Sequence, residues 1–267
     1  MSSNAGAAST PDAGAPGTQA APPRAAGPGS VAVPETEPAP LSEAPPPPPT
    51  YRTAPPPPVT LTYAVRRGDA EGTALVRWQV DAAGRYLLEM LGSGATPALT
   101  PHWTSRGSLD TDGVAPERFA VSRRGRERHA ANFRRDAGLV SFAGPARTWP
   151  LLAGAQDRLS WMVQLAAVLE ANPALAAAGE RISMMVVGAH GDAGLWTFTV
   201  QPMTMADGPA GEALPVWPLR REAGPVHDPL VEVWVAPALH HLPVRVRLTL
   251  PSNGESTDLR LRALEAP

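Results

Sequence analysis

Gln156-Asp157-Arg158-Leu159-Ser160-Trp161-Met162-Val163-Gln164-Leu165-Ala166-Ala167-Val168-Leu169-Glu170 is the stretch on which the fold turns. It contains no Gly or Pro, and Asn172-Pro173 signals its end, so it reads as one helix of about four turns. Leu159, Met162, Val163, Ala166 and Leu169 fall on one side, and Trp161, Leu165 and Val168 on another. Only Gln156, Ser160 and Gln164, spaced i, i+4, i+8, form a polar stripe. A helix apolar around most of its circumference has to be covered around most of it, and this one is too short to span a bilayer. The cover must come from the rest of the chain.

On both sides of this stretch the apolar period is two, not 3.6. Before it, Leu61, Tyr63 and Val65, then Val76, Trp78 and Val80, then Tyr86, Leu88 and Met90 alternate with polar residues. The turns Gly68-Asp69 and Asp81-Ala-Ala-Gly84 separate them. Trp103 to Leu109, Phe119/Val121, Ala131/Phe133 and Leu139/Phe142 continue the rhythm. After it come Ile182, Met184 and Val186; Trp196, Phe198 and Val200; Val231, Val233 and Val235; Val244, Val246 and Leu248. Asn253-Gly254 then turns the chain into Leu259 and Leu261. Roughly ten to twelve antiparallel strands with one wet face follow from this pattern. The fold class is mainly β: a strongly curved, half-barrel-like antiparallel sheet wrapped around one substantial helix. The absence of βαβ alternation excludes a Rossmann-type nucleotide fold.

The first 58 residues are a different polymer. They hold 17 of the 33 prolines, end in the runs Pro45–Pro49 and Pro55–Pro58, and lack the large apolar side chains that offset ordering entropy. The domain reading is a disordered Ala/Pro-rich arm over 1–58 and a β-rich globular domain over 59–267. Within the arm, 1–44 reads as flexible coil and 45–58 as a polyproline II spacer of roughly 40 Å.

All 23 cationic side chains are arginine. Arg24 and Arg52 against Asp12, Glu35, Glu37 and Glu43 give the arm the whole net charge of −2, leaving 21 arginines and 21 acids in the head. A neutral head argues against a nucleic-acid partner. With no cysteine there is no disulfide framework and no thiolate site. The beginning, MSSNAGAASTPDAG, shows no signal peptide or membrane helix, which read literally gives a cytoplasmic protein. A Pro-rich arm on a β-rich head also matches a periplasmic module tethered to the inner membrane, with the anchor encoded upstream of Met1.

Several segments carry a family resemblance: Gln156 to Ser160 with the helix behind it, Glu232-Val-Trp234-Val-Ala236-Pro237, Leu242-Pro243-Val244-Arg245-Val246-Arg247, Ser105-Arg-Gly107-Ser-Leu109, and Gly113-Val-Ala-Pro116-Glu-Arg118-Phe119. Together they resemble the proteobacterial family known as domain of unknown function 3108, over most of 59–265. The resemblance implies an envelope-associated, β-rich head in the periplasm and transfers no functional residue. By fold analogy it is similar to the curved half-barrel with an inner helix of bacterial lipoprotein carriers.

No catalytic constellation stands out. His240-His241 point to opposite faces if extended, and the other four histidines lack metal-ligand spacing, so neither a metal nor a cofactor is expected. Ser160 lacks a nucleophile elbow. The binding candidates are Arg245 and Arg247, which share one strand face and would meet an anionic headgroup at the rim of the concavity, and Trp103 and Trp217, placed to line its mouth. The preferred function is non-enzymatic: an apolar or amphipathic envelope ligand or partner held in the concavity. Two other readings stay open, a structural module with a sealed core and a hydrolase around His227-Asp228. A further basic run, Arg118 to Arg135, reads as a solvated hairpin or as a contact for an anionic envelope partner.

Overall fold

Alternation of apolar and polar residues does make strands here, and the strands make one sheet. The computed structural model describes residues 48–94, 102–224 and 228–266, all within one compact unit, Pro46–Pro267. The coil expected for 1–44 lies outside the described residues. A meander of β1 (Val59–Arg67), β2 (Ala70–Val80), β3 (Arg85–Gly94), β4 (His102–Asp110), β5 (Gly113–Arg123), β6 (Arg126–Arg134), β7 (Leu139–Ala143) and β8 (Thr148–Pro150) forms one half. After the short β9 (Gln156–Asp157) and the helix α1 (Trp161–Ala171), the chain continues through β10 (Arg181–Val187) and β11 (Ala193–Val200). It then runs through β12 (Thr204–Asp207), β13 (Ala213–Arg221), β14 (Leu230–Ala236), β15 (Leu242–Thr249) and β16 (Ser256–Glu265).

The order across the sheet is β8-β7-β6-β5-β4-β3-β2-β1-β16-β15-β14-β13-β11-β10-β9, with β12 pairing β13 beside this path. The first and last strands therefore join the two halves, through pairs such as Val65 with Leu259. Among the described strands only β9 runs parallel to its neighbour, β10.

The sheet is strongly curved and stays open. Its two edges approach one another and are tied by side chains, not by a backbone ladder. The Trp149 indole on β8 donates to the Gly191 carbonyl at 3.0 Å, and the Gln156 amide on β9 donates to the Val114 carbonyl on β5. The His129 ring on β6 lies 4.2 Å from that of His190, in the β10–β11 turn. The apolar face lines the inside, where Tyr63, Trp78, Leu88, Phe119, Trp196, Phe198, Val233 and Val246 are all buried.

Helix α1 occupies the concavity, as the sequence implies, and is shorter than the stretch suggests. Gln156 and Asp157 are drawn off to pair with Val186 and Val187, and the helix starts only at Trp161. The polar stripe is buried as well. Gln164 takes the Val114 N–H on its Oε1 at 2.9 Å and donates to the Asp112 carbonyl at 2.6 Å, pinning the β4–β5 turn to the helix. Gly113 in that turn has φ +101, and a β-carbon there would fall 2.5 Å from Gln164 Oε1 and 2.8 Å from Thr53 Cγ2. A side chain fits neither the backbone nor the space.

Packing begins before Val59. The Ala54 N–H donates to the Ala167 carbonyl at 2.9 Å, Trp78 Nε1 donates to the Pro56 carbonyl at 3.0 Å, and Asn172 Nδ2 donates to the Arg52 carbonyl at 2.8 Å. The Tyr51 hydroxyl accepts from the Ser183 N–H. Residues 51–58, with the second proline run, are a strap laid along α1, tied to it at the Ala167 carbonyl and at Asn172. Its prolines lose little entropy on ordering because φ is already fixed.

Candidate functional site

The inner helix does not fill the half-barrel. Between its first turn and the ends of β1, β2, β3, β15 and β16 a cavity of about 260 Å³ remains. Val65, Ala74, Met90, Met162, Val246 and Leu259 supply apolar walls, an expected result of inward parity on strands that outlast the helix. Trp161 closes its inner end and stacks on Phe198 at 5.3 Å between centroids.

The mouth is polar and balanced. Arg67 and Glu255 stand there as a two-bonded ion pair, at 2.6 and 2.8 Å. Deeper in, the Arg158 guanidinium contacts Asp192 at 2.7 Å and Asp228 at 3.3 Å. Asp228 also receives Arg221, whose other amino group donates to the Pro229 carbonyl at 2.6 Å. Both guanidiniums lie over the Trp196 ring, 4.7 and 4.6 Å from its centroid. Three cations meet three anions, so these ion pairs at the mouth hold no surplus charge of either sign.

A buried polar chain fixes the helix start beside the cavity. Asp157 Oδ1 accepts the N–H groups of Leu159 and Ser160 at 2.8 Å each, and Oδ2 accepts the Ser105 hydroxyl at 2.5 Å. The Ser105 Oγ is also 2.8 Å from the Tyr86 hydroxyl. Ser160 Oγ accepts the Asp157 N–H at 2.9 Å, which commits that hydroxyl to the turn. Burial pushes the Asp157 carboxyl from 3.8 up to about 6 against the opposing pull of these donors.

Of the four side chains singled out from sequence, Trp103 alone lines the cavity, edge-on to Phe119 with centroids 6.0 Å apart. Trp217 lies on β13 opposite Val235, packed against the core away from the cavity lining. Arg245 and Arg247 do share a face, on the other side of the sheet from the cavity, because Val246 and Leu248 take the inner side. Arg245 is bonded twice to Asp258 at 2.8 Å and lies over Trp234, while Arg247 sits near Glu232 and Asp258. An anionic headgroup in the concavity meets neither.

Other sequence readings are also placed. Asp228 is committed to two arginines, and His227 lies outside the described residues. His240 and His241 are not extended: both have left-handed backbone, φ 52 and 57, and both turn toward Glu170, with His241 Nδ1 at 2.8 Å. Among the described residues no three His, Asp or Glu side chains are grouped as metal ligands.

Arg67, Arg158 and Glu255 were not singled out from sequence, and a signal for one of them was present. Leu61, Tyr63 and Val65 set the inner parity of β1, and Arg67 is the next residue on it. A charge on an apolar face at a strand end marks a mouth. Arg158 carried no such mark, because the expected helix placed it on a surface that does not exist.

A family model described as Protein of unknown function (DUF3108) matches residues 60–260. No curated protein matches the sequence. Among solved structures, a beta-barrel-like protein of domain of unknown function DUF1849 from Brucella abortus is similar in fold, with TM-score 0.51 at 13% identity, covering 82% of this chain and 100% of that one. The MucA/MucB complex of Pseudomonas aeruginosa aligns with TM-score 0.32 at 14% identity, over 79% of this chain and 53% of that one. A protein with a YmcC-like fold from Bacteroides fragilis gives TM-score 0.33 at 11% identity, over 81% of this chain and 99% of that one.

Proposed function

The chain belongs to the family described as Protein of unknown function (DUF3108), and from that premise we propose that its head is a non-enzymatic holder of one slender apolar or amphipathic molecule. The observation that supports this is the apolar cavity left between α1 and the sheet. Well-packed interiors close such spaces, since unfilled volume forfeits dispersion contacts. At about 260 Å³ it lies just below the usual span of ligand cavities, roughly 300 to 1,000 Å³. That size suits a single acyl-type chain better than a fused ring system. Each methylene transferred from water contributes about 0.8 kcal/mol, so roughly eight of them supply about 6 kcal/mol before association costs.

The balanced rim selects the head of such a molecule. A free carboxylate or phosphate would compete with Glu255, Asp192 and Asp228 for cations already paired, so a neutral or zwitterionic head is favoured. The same proposal places the head in the cell envelope, where lipids are handled, with the Pro-rich segment as its spacer. Fractionation of cells checks that placement, and recovery with the cytosol would reject it.

The ligand is tested on purified full-length protein by organic extraction and mass spectrometry, with displacement of a fluorescent acyl probe as a second readout. One co-purifying chain per head, lost in Ala74→Phe, is the expected result. A clean apo mass together with no probe binding would return the head to a structural module.

A further inference from the structure

The head's neutrality conceals a cluster of unpaired cations on one rim of the curled sheet, and this assigns the molecule a face. Antiparallel strands place alternate turns on alternate rims. The cavity opens on the rim formed by the ends of β1 and β15 and the start of β16, where Arg67, Leu250 and Glu255 stand. The β5–β6 hairpin turns on that same rim: β4 runs next to β3, with Trp103 paired to Met90 and to Val121, so Arg123 lies beyond Trp103 toward the mouth side.

That hairpin carries Arg123, Arg124, Arg126 and Arg128, all exposed, and among the described residues none of the four has an ion-pair partner. The one acid in the turn, Glu127, is held by Arg118. Arg147, in the β7–β8 turn of the same rim, is exposed too and faces the Trp149 ring. The turns of the opposite rim carry Asp81, Asp110, Asp112, Asp136, Asp207 and Glu212, with Arg85, Arg134 and Arg135 beside them as partners, while exposed Asp69 and Glu71 stand at the β1–β2 turn of the mouth rim, away from the β5–β6 hairpin.

We infer that the β5–β6 hairpin tip is a docking surface for an anionic membrane, and that it seats the head with the cavity mouth facing the lipids. Clustered guanidiniums on one protruding turn fit a plane of phosphates. A soluble polyanion would be met equally well by the cations, but it gives no reason for an apolar cavity to open on their side. The turns of the opposite rim offer, among the described residues, no such cluster of unpaired cations, so the hairpin sets the orientation. Docking rests on the hairpin, whereas its usefulness rests on the ligand reading above.

The test is co-sedimentation of the full chain with vesicles of phosphatidylcholine, with and without phosphatidylglycerol. Binding to the anionic vesicles alone is expected, weakening as salt is raised. The combined variant Arg123→Ser, Arg124→Asn, Arg126→Ser, Arg128→Ser should lower partitioning by roughly a thousandfold, the four side chains each adding to surface attraction. Arg262→Ser, on the opposite rim, should leave binding intact, and so should Ala74→Phe, which fills the cavity. Equal binding to neutral vesicles, unchanged binding of the combined variant, or capture by heparin with no vesicle binding would each overturn the assignment. Vesicle binding without any co-purifying ligand would keep the docking surface and remove the ligand reading.

Discussion

Asp157 shows how much one side chain sets here. Its carboxylate is fully enclosed and takes three donors, from Leu159, Ser160 and Ser105. A folded-state value of about 6 against an ordinary 3.8 makes the charged form cost roughly 3 kcal/mol. The sign follows from linkage: the folded state binds the proton more tightly, so this penalty is full above pH 6 and is relieved as pH falls toward 3.8. Asp258 and Glu255, held low by their arginine partners, act the other way and lose their contribution only as pH falls into and below the usual carboxylate range. Asp157 therefore contributes a rise in thermal stability as pH falls from 7 to 5, opposed in that window by His190, whose pKa burial lowers, and Asp157→Asn should remove the rising contribution in a melting series. Asp157→Ala strands the buried Ser105 hydroxyl and two N–H groups and should cost about 3 kcal/mol in chemical denaturation. Asp228 is a second such point. Asp228→Ala leaves Arg221 buried without its partner and should cost about 3 kcal/mol by the same measure.

Among the elements, the strap of residues 51–58 and the helix depend on each other. Trp78 is buried, and its indole N–H has the Pro56 carbonyl as its acceptor. Trp78→Phe should therefore loosen the strap at a cost of about 1–2 kcal/mol, seen as faster amide exchange at Ala54. The strap was illegible because proline runs in a sequence look the same whether packed or free. Elsewhere parity was a sound guide: Tyr63, Trp78, Phe198 and Val246 are inside because they alternate. β13 was hidden because Pro215 and Pro218 interrupt its alternation; each removes an N–H where the strand changes partners, from β12 at Val216 to β11 at Leu219. The short β9 was hidden because it lies within a stretch of unbroken helical pattern. Parity also grouped Arg245 with Arg247 correctly, while the side of the sheet they occupy followed from giving the concavity to Val244 and Val246.

For the whole molecule, the sequence carried the architecture and left its empty volume untold. A cavity has no periodic trace; it arises because α1 begins five residues later than its pattern, withdrawing Gln156 and Asp157 from the concavity's mouth side. Ala74→Phe places an aromatic ring in that volume. It should raise stability by about 1 kcal/mol in thermal melts while abolishing uptake of an acyl probe. Stability and capacity then move in opposite directions, as they do when a void is kept for a guest.

The way the sheet's edges meet has a mechanical consequence. A closed barrel has a girth fixed by a continuous ladder, which must rupture as a whole before the wall can widen. Here the circumference is fastened by an indole on Gly191, an amide on Val114 and two imidazoles in tilted contact, and each of the two hydrogen bonds costs only about 0.5–1.5 kcal/mol to undo. The wall is a split collar with a clasp. It can be let out one link at a time without losing a strand, so the width of the concavity is set by the clasp and not by the wall.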